Sequence, residues 1–107
     1  MFKKKQPLSF QEVLSKLMRY CSYQERSPFE VKQKLREYAL PSDKVDELMD
    51  LLIDDNFINE ERFAALFVRG KVSVKRWGLY KIREGLMAKG VKSAEIDTAI
   101  KTLDKVK

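Results

Sequence analysis

Apolar residues recur along the chain at spacings of three and four, in six stretches separated by capping residues and helix breakers. That period predicts six amphipathic helices. The first spans about Phe10 to Ser22 after Ser9 as N-cap, with Phe10, Val13, Leu14, Leu17 and Cys21 on one stripe. Ser27-Pro28-Phe29-Glu30 opens the second: Ser27 caps, Pro28 fits the first helical position and Glu30 completes a capping box. Val31, Leu35 and Tyr38 form its inner face until Leu40-Pro41 breaks it. Ser42 is the expected cap of a third helix, whose stripe is Val45, Leu48, Met49, Leu52 and Ile53. Asn59 caps a fourth, with Glu60 and Glu61 where the helix dipole favours negative charge. Phe63, Leu66, Phe67 and Val74 are expected to point inward. Trp77-Gly78 marks the next turn, and a fifth helix carries Leu79, Ile82 and Leu86. Gly90 suits the residue just past its end. Ser93 is the expected cap of the sixth, with Ile96, Ala99, Ile100 and Leu103 inward.

The pattern repeats. Ser9 aligns with Asn59, Leu17 with Phe67, Arg19 with Arg69 and Arg26 with Arg76; after a one-residue gain, Val31 aligns with Ile82, Leu35 with Leu86, Ser42 with Ser93 and Leu52 with Leu103. A repeat of about 50 residues built from helices implies nearest-neighbour packing in an elongated array. The expected fold is therefore all-α: tandem three-helix modules stacked into an elongated helical array, with no β-sheet. Residues 1–8 form a basic, disordered tail in this reading, residues 9–58 the first module and residues 59–107 the second.

Charge adds a direction. Of the 22 Lys and Arg residues, ten lie in residues 1–58, where ten acids balance them; the remaining twelve face only six acids in residues 59–107. The whole net charge of +6 thus belongs to the second half. Between Arg69 and Lys92, eight basic residues stand against Glu84 alone. Such a localised field attracts a polyanion or an acidic protein surface. Arg69, Lys71, Lys75, Arg76, Lys81 and Arg83 flank one helix-turn-helix corner, with Arg69 and Arg76 seven apart on one expected helical face. Concentrated positive charge repels itself, so a partner is the favoured explanation for the cluster.

Other chemistry finds little support. The chain has no His, and its one Cys, Cys21, lies on an apolar stripe. No Gly-rich phosphate loop or metal-ligand spacing occurs. The expectation is no enzyme, no catalytic residue, no cofactor and no metal site. No apolar run approaches the roughly 20 residues of a membrane span, and the Lys3-Lys4-Lys5 terminus lacks a signal peptide's apolar core. A cytoplasmic monomer without membrane contact is expected.

Three stretches together resemble the RecX family of regulators of RecA-type recombinases. They are Tyr20-Cys21-Ser22 through Arg26-Ser27 with Lys34-Leu35-Arg36; Asp54-Asp55-Asn56-Phe57-Ile58-Asn59-Glu60-Glu61-Arg62-Phe63-Ala64; and Arg76-Trp77-Gly78 with Lys81-Ile82-Arg83, Leu86 and Lys89-Gly90-Val91. The resemblance covers roughly residues 9 to 105. It implies an array of three-helix modules that lodges in the groove of a recombinase filament on single-stranded DNA. It also implies inhibition of strand exchange, ATP hydrolysis and co-protease activity, and hence a place in recombination, DNA repair and the SOS response. Family members usually have a third module where this chain supplies two, which reads as either a truncated chain or a short member.

Against this background the residues divide into two groups. Asp54, Asp55, Arg62 and Phe63 read as a structural link between modules, with Arg62 pairing with Asp54 or Asp55. Arg69, Lys71, Lys75, Arg76, Trp77, Tyr80, Lys81 and Arg83 are the candidate surface for the recombinase and for DNA, touched directly or through the filament. Trp77 has two roles open to it, a staple between the fourth and fifth helices or a platform for a base or an apolar anchor. The alternative function is a helical protein that binds DNA without sequence preference. The fifth helix offers it Lys81 and Arg83 but no Asn or Gln, the side chains that read adenine bidentately.

Overall fold

The computed structural model describes residues 8–105, and all regular structure among them is helical. The helices are α1 (Phe10–Tyr23), α2 (Pro28–Leu35), α3 (Ser42–Asp54), α4 (Glu60–Gly70), α5 (Leu79–Ala88) and α6 (Ser93–Lys105). The expected basic tail lies outside the described residues except for Leu8, which packs against the first core.

Three of the expected N-caps form. Ser9 and Ser27 each accept the amide of the glutamate three residues on, at 3.1 Å, and that glutamate reaches back to the capping residue's own amide at 2.9 Å. Asn59 Oδ1 accepts the Arg62 amide at 2.8 Å. The expected caps at Ser42 and Ser93 do not hold. The Pro41 carbonyl accepts the Val45 amide at 3.0 Å, and Lys92 does the same for Ile96, so each serine sits one residue inside its helix. The repeat survives this correction because both serines are displaced alike. α2 is also short: after eight residues it tightens into a 3₁₀ turn over Arg36–Tyr38.

Two separate cores organise the helices. Val13, Leu17, Cys21, Val31, Leu35, Leu48, Met49, Leu52 and Ile58 close the first, between α1, α2, α3 and the segment after α3. Phe63, Ala64, Val68, Ile82, Leu86, Val91, Ile96, Ala99 and Ile100 close the second, between α4, α5 and α6. The aligned pairs Val31/Ile82 and Leu35/Leu86 are all buried. Four expected core residues are not: Ile53, Leu66, Val74 and Leu79 face solvent, Val74 at 76% exposure. Val74 misses because α4 does not continue far enough to carry it onto the inner stripe.

The two bundles form an elongated body of 56 × 32 × 20 Å with a radius of gyration of 16.4 Å. A compact domain of this length has a radius near 13 Å, so the array is stretched as its repeat predicts. The join is short. α3 ends with Asn56 in the left-handed region (φ 63°), and the Phe57 and Ile58 amides turn back to the Leu52 carbonyl at 2.8 and 3.2 Å. Ile58 drops into the first core and Asn59 starts α4.

Candidate basic corner and module link

The corner after α4 owes its shape to an abrupt change of helical winding. Past Gly70 the backbone widens into a π turn over Lys71–Lys75, a run holding Val72, Ser73 and Val74, which are weak helix formers. The turn closes on one carbonyl: Lys71 O accepts the amides of Arg76 and, at 2.9 Å, Trp77. Arg76 takes a left-handed backbone (φ 55°), a conformation that strains any side chain and recurs at functional sites. The sequence expectation that Arg69 and Arg76 share a helical face is therefore corrected: the π turn ends the helix between them.

The candidate residues separate into four placements. Lys71 and Lys81 converge on Trp77, their ammonium nitrogens 4.6 and 4.5 Å from centroids of its ring system. Trp77 is half-buried and meets Phe67 edge-on at 6.2 Å, joining α5 to α4. Lys75, Arg76 and Tyr80 stand in solvent with Val74 and Leu79, giving the corner apolar as well as cationic surface. Arg69 lies apart, in a groove with Ala65, Ser73, Ala99 and Thr102 between α4 and α6. Arg83 is turned away to Asp97 on α6, at 2.8 Å.

The link residues also rearrange. Arg62 does not pair with Asp54 or Asp55, both of which are exposed. Its Nε donates to Glu25 of the first module, and Nη2 donates to the Asn56 carbonyl at 3.0 Å. α3 points its last carboxylates into solvent, whereas the loop after α1 delivers Glu25 to the join. Phe63 is buried in the second core. Sequence spacing favoured the nearby aspartates because Glu25, 37 residues away, gives no local signal.

A second inter-module contact was equally silent in the sequence. Lys89 Nζ donates to Glu30 Oε2 at 3.2 Å, while Glu30 Oε1 is engaged in the α2 capping box. Burial pushes the Glu30 carboxyl upward, but the bonds from Ser27 and Lys89 prevail, leaving its pKa below 4.5. Beside this pair Gly90 (φ 78°) lies so close that a Cβ there would sit 3.2 Å from Phe29 Cβ.

One cluster on the first module escaped the charge count. Lys16, Arg19, Tyr20, Tyr23, Arg26, Lys34 and Tyr38 line one open groove. Four of them, at positions 16, 19, 20 and 23, have the spacing of a single helix face, and that spacing was the available signal. Nearby acids had balanced the charge of this half and hidden it. Cys21, behind this face, is buried, and desolvation raises its thiol pKa to about 11, as suits a core residue rather than a nucleophile.

Residues 59–100 match the family model for RecX, second three-helix domain. The chain is similar to the regulatory protein RecX of Lactococcus lactis strain IL1403, at 33% identity over 85 residues, covering 78% of this chain and 32% of that protein. The RecX of Bacillus cytotoxicus is 33% identical over 88 residues, 82% of this chain and 33% of its own length. Among solved structures, a crystal structure of regulatory protein RecX superposes with a TM-score of 0.81 at 28% identity, over 87% of this chain and 47% of that one. RecX from Lactobacillus salivarius superposes with a TM-score of 0.79 at 28% identity, over 85% and 59%.

The chain belongs to the RecX family. It spans about a third of the length of the curated relatives it matches, which are named regulatory protein RecX. The RecX second-domain match contains the whole basic corner, from Arg69 to Arg83. Among the described residues no helix is long and apolar enough to cross a membrane, and no group of three or more metal-ligating side chains gathers.

Proposed function

We propose that this RecX chain binds a RecA-type recombinase filament on single-stranded DNA and restrains its activity in recombination, repair and the SOS response. It acts by binding rather than by catalysis, as a cytoplasmic monomer of two modules, residues 9–58 and 59–107. The basic corner is the contact surface, with Lys75, Arg76 and Tyr80 outermost, Lys71 and Lys81 held on Trp77, and Arg69 and Arg83 at its margins.

The observation that carries this reading is the corner's mixed surface. Val74, Leu79 and Tyr80 are 76%, 52% and 77% exposed, within a few residues of Lys75, Arg76 and Lys81. Exposed apolar side chains rimmed by charge fit a protein partner; a phosphate backbone alone needs only the cations. A body 56 Å long also suits contact with two neighbouring protomers, whose contributions combine through effective concentration.

The deciding measurement titrates labelled protein against recombinase monomer, recombinase filament and bare single-stranded DNA at matched ionic strength. The filament is expected to bind about 10–100-fold more tightly than the monomer, a cautious fraction of the gain that linked sites allow. Equal affinity for monomer and filament refutes bridging. Binding to bare DNA as tight as to the filament favours direct, sequence-independent DNA binding instead.

A further inference from the structure

The basic corner leaves the Tyr-lined groove of the first module without a role. We infer that this groove is a separate binding site for single-stranded nucleic acid, in which a base stacks on Tyr23 and neighbouring phosphates meet Lys16 and Arg19. The inference goes beyond the recombinase reading, because the groove holds the strand with no recombinase present.

The groove is built of cations and phenols only; none of its lining residues is a carboxylate. Its seven residues come from α1, the following loop, α2 and the 3₁₀ turn. Arg26 is the organising side chain. Its Nε donates to the Tyr20 carbonyl at 3.1 Å, and its guanidinium carbon lies 3.8 Å from the Tyr20 ring centroid and 6.0 Å from that of Tyr23. Lys34 stands 5.6 Å from the Tyr20 ring and is held by Glu37 at 3.0 Å. These two cations are committed to the groove itself.

Lys16 and Arg19 are differently placed. Both are exposed on the α1 face that carries Tyr20 and Tyr23, and neither forms an ion pair among the described residues. Tyr23 is 83% exposed at the end of the same helix. An aromatic ring left open beside two exposed cations, of which Lys16 feels the field of Glu12 one turn earlier without a close ion pair, is an arrangement that takes unpaired bases and their backbone together. A duplex keeps its bases stacked on each other, so it gains only from the cations. An acidic peptide meets the same cations but carries no base to stack, and competition by polyglutamate separates the two.

The test uses the whole chain, without recombinase, and a single-stranded oligonucleotide carrying 5-iodouracil. Irradiation followed by mass spectrometry is expected to place the adduct on Tyr23 or Tyr20; adducts confined to Trp77 and Tyr80 overturn the inference. In anisotropy titrations with oligo-dT, Tyr23→Phe is expected to bind as the parent does. Tyr23→Ala is expected to weaken binding about fivefold or more, the loss of one stacked base. Lys16→Gln with Arg19→Gln is expected to reduce the slope of log affinity against log salt by about 1.4, two phosphate contacts on a single strand. Unchanged affinity in Tyr23→Ala, or displacement of the oligonucleotide by polyglutamate at equal charge, also overturns it. The recombinase reading is decided apart from these outcomes, by whether Arg76→Glu with Lys81→Glu, both outside this groove, loses filament binding.

Discussion

Glu30 serves two structures at once: Oε1 accepts the Ser27 amide at 2.9 Å and completes the α2 N-terminus, while Oε2 accepts Lys89 from the other module at 3.2 Å. A local capping device has thereby become a tie between repeats. The carboxylate is effective only when ionised, so acid should act on the cap and the join together.

The folded-state pKa of Glu30 lies below the ordinary 4.5. A depressed carboxylate contributes stability that is fully present above the unfolded pKa and is lost as pH falls through the folded one. Stability should therefore fall on acidification below about pH 4.5. Glu30→Gln should be less stable at pH 7 and show a weaker acid dependence. Thermal melts of both proteins from pH 7 to 3 measure this; parallel curves would remove Glu30 from the account.

A backbone comparison between the repeats gives a second test. Ala39 (φ 52°) and Gly90 (φ 78°) are equivalent under the 51-residue offset, both just past the second helix of their module. The left-handed conformation costs a non-glycine residue about 1–2 kcal/mol, whereas glycine gives back roughly 0.5–1 through the freer unfolded chain. Ala39→Gly should thus stabilise by about 0.5–1 kcal/mol. Gly90→Ala should destabilise by about 1 kcal/mol or more, since its new methyl also presses on Phe29. Urea denaturation reads both signs.

Core equivalence predicts symmetric damage. Leu35 and Leu86 are both fully packed, one in each core. Truncation of either to alanine should cost about 2–5 kcal/mol through the cavity left behind. A near-zero cost at one of them would break the repeat alignment at that position.

Charge reversal locates the recombinase surface. Arg76→Glu with Lys81→Glu should weaken filament binding sharply. Lys32→Glu with Lys44→Glu, on the first module and outside its Tyr-lined groove, should change it little. Equal losses in a filament-binding assay would replace a located site with general electrostatics.

Much of the fold was legible because local physics specifies it. Ser9, Ser27 and Asn59 cap amides three residues away, and the buried stripes follow helical period. The failures have other causes. Ser42 and Ser93 look like caps, but the carbonyls of Pro41 and Lys92 open those helices. Val74 lies in a π turn that periodicity treats as α-helix. Glu25–Arg62 and Glu30–Lys89 join residues far apart in sequence, so only the packed array reveals them. The basic corner was visible as a charge excess. The groove at Lys16, Arg19, Tyr20 and Tyr23 was not, because a count along the chain averages over faces that the helix separates.

The join between the modules has a geometric consequence. Asn56 fixes the turn, Asn59 starts the next helix, and Arg62 ties that helix both to the turn and to Glu25. Together they define one rotation and one translation carrying the first bundle onto the second. Repetition of such an operation is a screw, and its pitch is written in the few residues between Asp55 and Arg62. Substitutions there should alter how the array keeps step with a helical partner, even where every contact within each bundle is left intact.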